Sequence, residues 1–230
     1  MKRKTIIIFT VILIIGGLFG FMTYNRLFRD PTPPSVKNND TVRVACVGDS
    51  LTFGHMIAWR HKNSYPARLQ TLLGKDYQVL NYGANARTLQ NGADMPYAQT
   101  RLYPASLASQ PQIVLIMLGT NDTKTHNWNA LNYEADLREL VRAYQALESE
   151  PRVYLLQPPA VYDNPYTITD QTVREEILPI MARVSQELGT GLIDVYTPTS
   201  GDDSLVYDGV HFKPAGVEII ADTVFHALSR

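Results

Sequence analysis

The sequence predicts an α/β fold, a parallel sheet with helices on both faces. Two observations carry this. Short apolar runs of strand length recur from Thr41 onward, and segments of helical period lie between them. Most of the runs are apolar on both faces, as strands buried between two helical layers are. Alternating strands and helices join as parallel neighbours through crossovers.

The expected strands are Val42–Val47, Gln78–Tyr82, Ile113–Leu118, Val153–Gln157 and Leu192–Val195. Tyr65, Leu69, Leu72 and Leu73 mark the first helix, with Ser64 as N-cap and Gly74 as stop. Tyr133, Leu137, Leu140, Val141 and Tyr144 line one face of a second. Val173, Ile177, Ile180, Met181, Val184 and Leu188 line a third. Val217, Ile220, Ala221, Val224 and Leu228 line the last, which Pro214 can open.

The N-terminus reads differently. Lys2, Arg3 and Lys4 precede an uncharged stretch from Thr5 to Tyr24. Roughly 20 apolar residues suffice to span a bilayer, and a basic flank stays cytoplasmic. Residues 1–29 are therefore expected to be a transmembrane signal anchor with the rest of the chain outside the cytoplasm. A cleaved signal peptide is the alternative, leaving a secreted domain; no Ala-x-Ala-like site follows the run. Residues 30–40, with Pro31, Pro33 and Pro34, read as an extended, solvated linker. Residues 41–230 form the expected domain.

A net charge of -1 gives no basic face for nucleic acid. The single cysteine, Cys46, sits in the first apolar run and reads as a core thiol. His55, His61, His126 and His226 have no metal-ligand spacing and read as surface or pocket-rim residues, so neither metal nor cofactor is expected.

In open α/β sheets, ligands bind where strands end. The first strand ends in Gly48-Asp49-Ser50-Leu51 and the third in Gly119-Thr120-Asn121-Asp122. Asp208-Gly209-Val210-His211 precedes the last helix. In this order and placement the three motifs resemble the SGNH/GDSL hydrolase family, whose detailed wording here is similar to bacterial sialate and carbohydrate O-acetylesterases. The resemblance covers about Thr41 to the C-terminus. It implies a three-layer, flavodoxin-like fold with a five-stranded sheet, and a serine esterase.

On that resemblance Ser50 attacks an ester carbonyl, His211 is its base and Asp208 orients the imidazole. Asn121 and the Ser50 backbone N–H stabilise the oxyanion. The family commonly shows Asn-x-Gly-x-x-Gly, whose second glycine donates a further backbone N–H. Here the segment is Asn81-Tyr82-Gly83-Ala84-Asn85-Ala86. Ala86 takes the donor position and Gly83 the structural one, unless a local shift makes Gly83 the donor. Asp49 and Asp122 read as loop-bracing carboxylates. His126 and Trp128, close after Asn121, shape the cleft or lie on the surface. Arg87 meets a polar substrate or makes a surface salt bridge.

The expected reaction is hydrolysis of a short acyl ester, acetyl first, on a small molecule or glycan. The alternatives are a lysophospholipase or thioesterase, an O-acyltransferase, and a non-catalytic glycan-binding module.

Overall fold

The computed structural model describes residues 30–38 and 40–229. The expected anchor over residues 1–29 lies outside them. Among the described residues, no helix is long and apolar enough to cross a membrane.

Five parallel strands form one sheet: β1 (Val42–Gly48), β2 (Tyr77–Gly83), β3 (Ile113–Met117), β4 (Arg152–Gln157) and β5 (Gly191–Asp194), in the order β2-β1-β3-β4-β5. All five expected strands are present, with ends moved by one residue. Helices surround them, among them α1 (Ser50–Phe53), α2 (Tyr65–Leu73), α3 (Leu102–Ala108), α4 (Ala130–Gln145), α5 (Leu178–Leu188) and α6 (Pro214–Leu228). A π turn over Val173–Ile177 leads into α5.

Side chains alternate across a strand, and this divides the core in two. Val44, Cys46, Leu115 and Met117 pack on one face against Tyr65 and Leu69 of α2 and Val217, Ile220 and Val224 of α6. Ala45, Val47, Val114 and Ile116 pack on the other against Leu102 of α3, Leu137 and Val141 of α4, and Met181 and Val184 of α5. Cys46 is fully buried among them. Leu72, expected in the core stripe of α2, is 40% exposed. Ser64 stands at the N-cap of α2 without a side-chain cap bond, and Gly74 ends the helix at φ +78°.

Helix α3 was absent from the sequence expectation. Its third residue is Pro104, tolerated in a first turn because the missing N–H has no helical partner there. The Thr100 hydroxyl accepts from the Tyr103 N–H, 3.2 Å, and so caps it.

Residues 30–38 have no regular secondary structure and are hydrogen-bonded to the domain. The Arg101 guanidinium donates to the carbonyls of Asp30 (2.6 Å) and Pro31 (3.0 Å). The Gln78 side-chain amide donates to Ser35 O and accepts from Lys37 N. This strap therefore runs along the β2 edge of the sheet. It starts near the end of α3 that faces the carboxyl ends of the strands.

The chain leaves β1, turns outward to β2, then returns to β3 on the other side of β1. That reversal opens a crevice beyond the ends of β1 and β3. Gly83, at the end of β2, lets the turn after β1 close over it. A Cβ there would stand 2.2 Å from Phe53 N and 2.6 Å from Thr52 C. Both are backbone atoms that cannot yield without moving α1. The expected outcome for Gly83→Ala is a loss of about 1–3 kcal/mol of stability, read as a lower urea midpoint, with Ser50 displaced. A midpoint equal to wild type would sink this account of the contact.

Candidate active site

Ser50 is the first residue of α1. The Asp49 side chain caps this helix, Oδ1 accepting from Leu51 N at 2.9 Å. Ser50 is 6% exposed and His211 8%. His211 Nε2 lies 3.0 Å from Ser50 Oγ, and its Nδ1 lies 2.8 Å from Asp208 Oδ2. Asp208 Oδ1 accepts from the backbone N–H groups of Val210 (3.1 Å) and His211 (2.8 Å), which closes the turn and aims the imidazole. Gly209, at φ +84°, makes that turn possible; a Cβ would meet Asp163 O at 2.1 Å.

Sequence reasoning missed one aromatic neighbour. Tyr166 donates its hydroxyl to Asp208 Oδ2 at 2.8 Å and stands edge-on to His211, centroids 5.9 Å apart. His55, expected on the surface or at a pocket rim, lines the cleft and also stands edge-on to His211, centroids 4.6 Å apart. A signal for Tyr166 did exist: it follows β4, where the carboxyl-end rule directs attention.

Burial works to raise the Asp208 carboxyl, but the hydrogen bonds from His211 backbone and side chain and from Tyr166 outweigh it. The result is a value lowered to about 2, a carboxylate held ionised. Burial lowers His55, and the charge His211 acquires pushes the same way.

The four sequence-predicted polar residues Ser50, Asn121, Asp208 and His211 come together. A cleft of about 280 Å³ is lined by Ser50, His211, Asn121, Ala86, Tyr166 and His55, with Ile168 and Val210 among its apolar walls. Ala86 has φ +60°, the left-handed region, which costs an L side chain about 1–2 kcal/mol. Neither the Ser50 nor the Ala86 N–H enters a backbone hydrogen bond among the described residues. The Gly83 N–H differs. It donates to Asn81 Oδ1 at 2.9 Å, and Gly83 lies outside the cleft lining. Its hydrogen is used in the Asn81 turn, which favours Ala86 over Gly83 as the donor facing the cleft.

Asn121 Nδ2 donates to Arg87 O (3.1 Å) and to Asp49 Oδ2 (3.3 Å). His126 and Trp128 do not line the cleft. His126 is exposed beside Asp94, and Trp128 donates to Glu176 Oε2. The 3₁₀ turn Asn121–Thr123 carries the chain away before it reaches them; Lys124 is the cleft residue instead. The Arg87 guanidinium pairs with Asp30 at 2.8 Å, the salt-bridge reading.

Two buried carboxylates brace these loops. Asp122 accepts from Leu89 N, Gln90 N and Gln90 Nε2. Burial raises Asp122 to about 6 despite these bonds, and raises Asp49 to about 7. The sign for stability follows. Between the ordinary 3.8 and about 7, the unfolded chain has released the Asp49 proton while the folded chain retains it. Stability is therefore greatest below this window and falls as pH rises through it. Asp49→Asn keeps an acceptor for Leu51 N and cannot ionise. Its urea midpoint is expected to fall less between pH 4 and pH 7 than that of wild type; parallel slopes would remove Asp49 as a source of the pH dependence.

Comparison with known proteins agrees with this geometry. Residues 46–219 match the GDSL-like lipase/acylhydrolase family. The chain is 33% identical over 238 residues to an acetylxylan esterase of Xylanibacter ruminicola, an alignment covering 91% of this chain and 49% of that protein. The chain thus spans about half the length of this relative. Among solved structures, an aryl esterase of M. smegmatis aligns with TM-score 0.69 at 21% identity, covering 82% of this chain and 99% of that one. A carbohydrate acetylesterase from Sinorhizobium meliloti aligns with TM-score 0.70 at 20% identity, covering 82% and 99%. Those two likenesses speak for the fold alone. The family match spans both the Ser50 motif and the Asp208–His211 motif, and the chain belongs to the GDSL-like lipase/acylhydrolase family.

Proposed function

We propose that the chain is a serine esterase that removes short acyl groups, acetyl above all, from carbohydrate hydroxyls. The observation that carries the reading is the Ser50–His211–Asp208 chain of hydrogen bonds, opening on a cleft of about 280 Å³. That volume suits an acetyl group with part of a sugar and leaves little room for a long acyl chain. The likeness to an acetylxylan esterase supports the same substrate class. The tether over residues 1–29, with the domain outside the cytoplasm, is part of this proposal and fits a glycan substrate.

Ser50 Oγ attacks the carbonyl carbon and its proton passes to His211 Nε2. Asp208, already ionised, stabilises the imidazolium through Nδ1–H. The negative charge that develops on the carbonyl oxygen is met by the Ser50 and Ala86 N–H groups and by Asn121 Nδ2. Both Asn121 amide hydrogens rest in long bonds of 3.1 and 3.3 Å, and one of them turns to the oxyanion. The intermediate then collapses. The C–O bond to the sugar breaks, and its oxygen takes the proton from Nε2. Water repeats the sequence on the acyl-Ser50 ester, giving its proton to His211, and releases the acid.

The test is acetate release from acetylated xylo-oligosaccharides and acetylated sialic acids, beside p-nitrophenyl esters of increasing chain length. Rates are expected to be highest on acetyl substrates and to fall with chain length. Ser50→Ala is expected to lose about 10⁴-fold or more in kcat. Rates that rise with chain length would move the substrate to lipid esters, and an active Ser50→Ala would end the mechanism.

A further inference from the structure

We infer that Asp30, at the head of the strap, is a positioning residue for the oxyanion loop. The inference rests on the esterase reading above and names a residue that the family motifs do not contain.

Ala86 holds a left-handed backbone without being glycine. Such a conformation persists only where its surroundings over-determine it. The loop's ends are secured by ordinary means. Ala84 N donates to Gly48 O, and Thr88 pairs through its N–H and carbonyl with Met95 and Tyr97. Between them, Arg87 is held from outside. Its guanidinium donates to Asp30 Oδ1 at 2.8 Å, and the two side chains are only 12% and 19% exposed. Asp30 is itself fixed. Its Oδ2 accepts from Arg101 N at 3.0 Å, and its carbonyl accepts from Arg101 Nη2. An exposed ion pair contributes little, but a mostly buried carboxylate with both oxygens occupied resists movement.

The chain of contacts then reaches the cleft. The carbonyl of Arg87 accepts from Asn121 Nδ2, and Ala86 precedes it directly. Two of the three proposed oxyanion donors, the Ala86 N–H and the Asn121 amide, are therefore set by where Arg87 stands. Asp30 is one of the groups that hold Arg87 there. The family's glycine needs no such clamp, because it adopts the left-handed region freely. Here alanine and the strap occur together.

The experiment uses the full chain. Asp30→Ala is expected to lower kcat on p-nitrophenyl acetate by about 10- to 100-fold with KM within about twofold. Asp30→Glu is expected to recover part of the loss, and Arg87→Gln to reproduce it should Asp30→Ala fold poorly. The decisive comparison is a double-mutant cycle with Ala86→Gly. Removing Asp30 in the A86G background is expected to cost less than about threefold, because glycine no longer needs the clamp. An equal loss in both backgrounds, or a loss in KM rather than kcat, would overturn the inference. Amide hydrogen exchange over residues 84–88 reads the clamp without any activity: it is expected to quicken about 10-fold in Asp30→Ala, and unchanged exchange also overturns the inference. A wild-type chain inactive on every ester would defeat the esterase reading, while the exchange result still decides the clamp.

Discussion

Where a parallel sheet ends, the backbone loses its strand partners, and a buried loop must find acceptors elsewhere. The site depends on how this chain meets that constraint. Asp49 and Asp122 sit under the crevice, each fully buried, and between them accept from Leu51 N, Asn121 Nδ2, Leu89 N and Gln90. They tie the ends of β1, β2 and β3 into one rigid layer. The arrangement carries a penalty, because burial pushes both carboxyls well above their ordinary value. Catalytic loops elsewhere in proteins are commonly strained for the same reason: geometry at the reacting atoms outweighs local stability.

On that layer the polar groups divide by task. Asp208 is bonded on both oxygens and stays charged, with Tyr166 as a fourth donor. His211 has two aromatic rings edge-on to it, those of His55 and Tyr166, which restrict its rotation. Ala86 lines the cleft and adds one methyl group relative to the glycine that commonly occupies this place in the family. On the proposed reading, a small acyl pocket and a clamped oxyanion loop are two results of that one residue.

Much of this was legible in the sequence. The five strands were, because a parallel sheet buried on both faces writes itself as continuous apolar runs. Ser50, Asn121, Asp208 and His211 were, because each sits at a strand or helix boundary with a characteristic spacing. Helix α3 was not: Pro104 in its first turn and a short apolar stripe hide its period. Tyr166 and Asp30 were not, because their partners lie 42 and 57 residues away in irregular segments. Local pattern says nothing about such contacts. For His126 and Trp128 the cleft alternative fails, because a 3₁₀ turn separates Asn121 from them and nearness in sequence is not nearness in space. The composition of the Pro-rich strap says nothing of the residues it bonds to, Arg101 and Gln78.

The Ser50–His211 hydrogen bond joins residues 161 positions apart. On the proposed mechanism the nucleophile is synthesised near the start of the domain and its base near the end, and the last helix then packs on α2 against the same core. Under that proposal a partly synthesised domain carries a serine hydroxyl with no proton acceptor in reach, and a serine-directed covalent reagent counts molecules whose two ends have closed on one another.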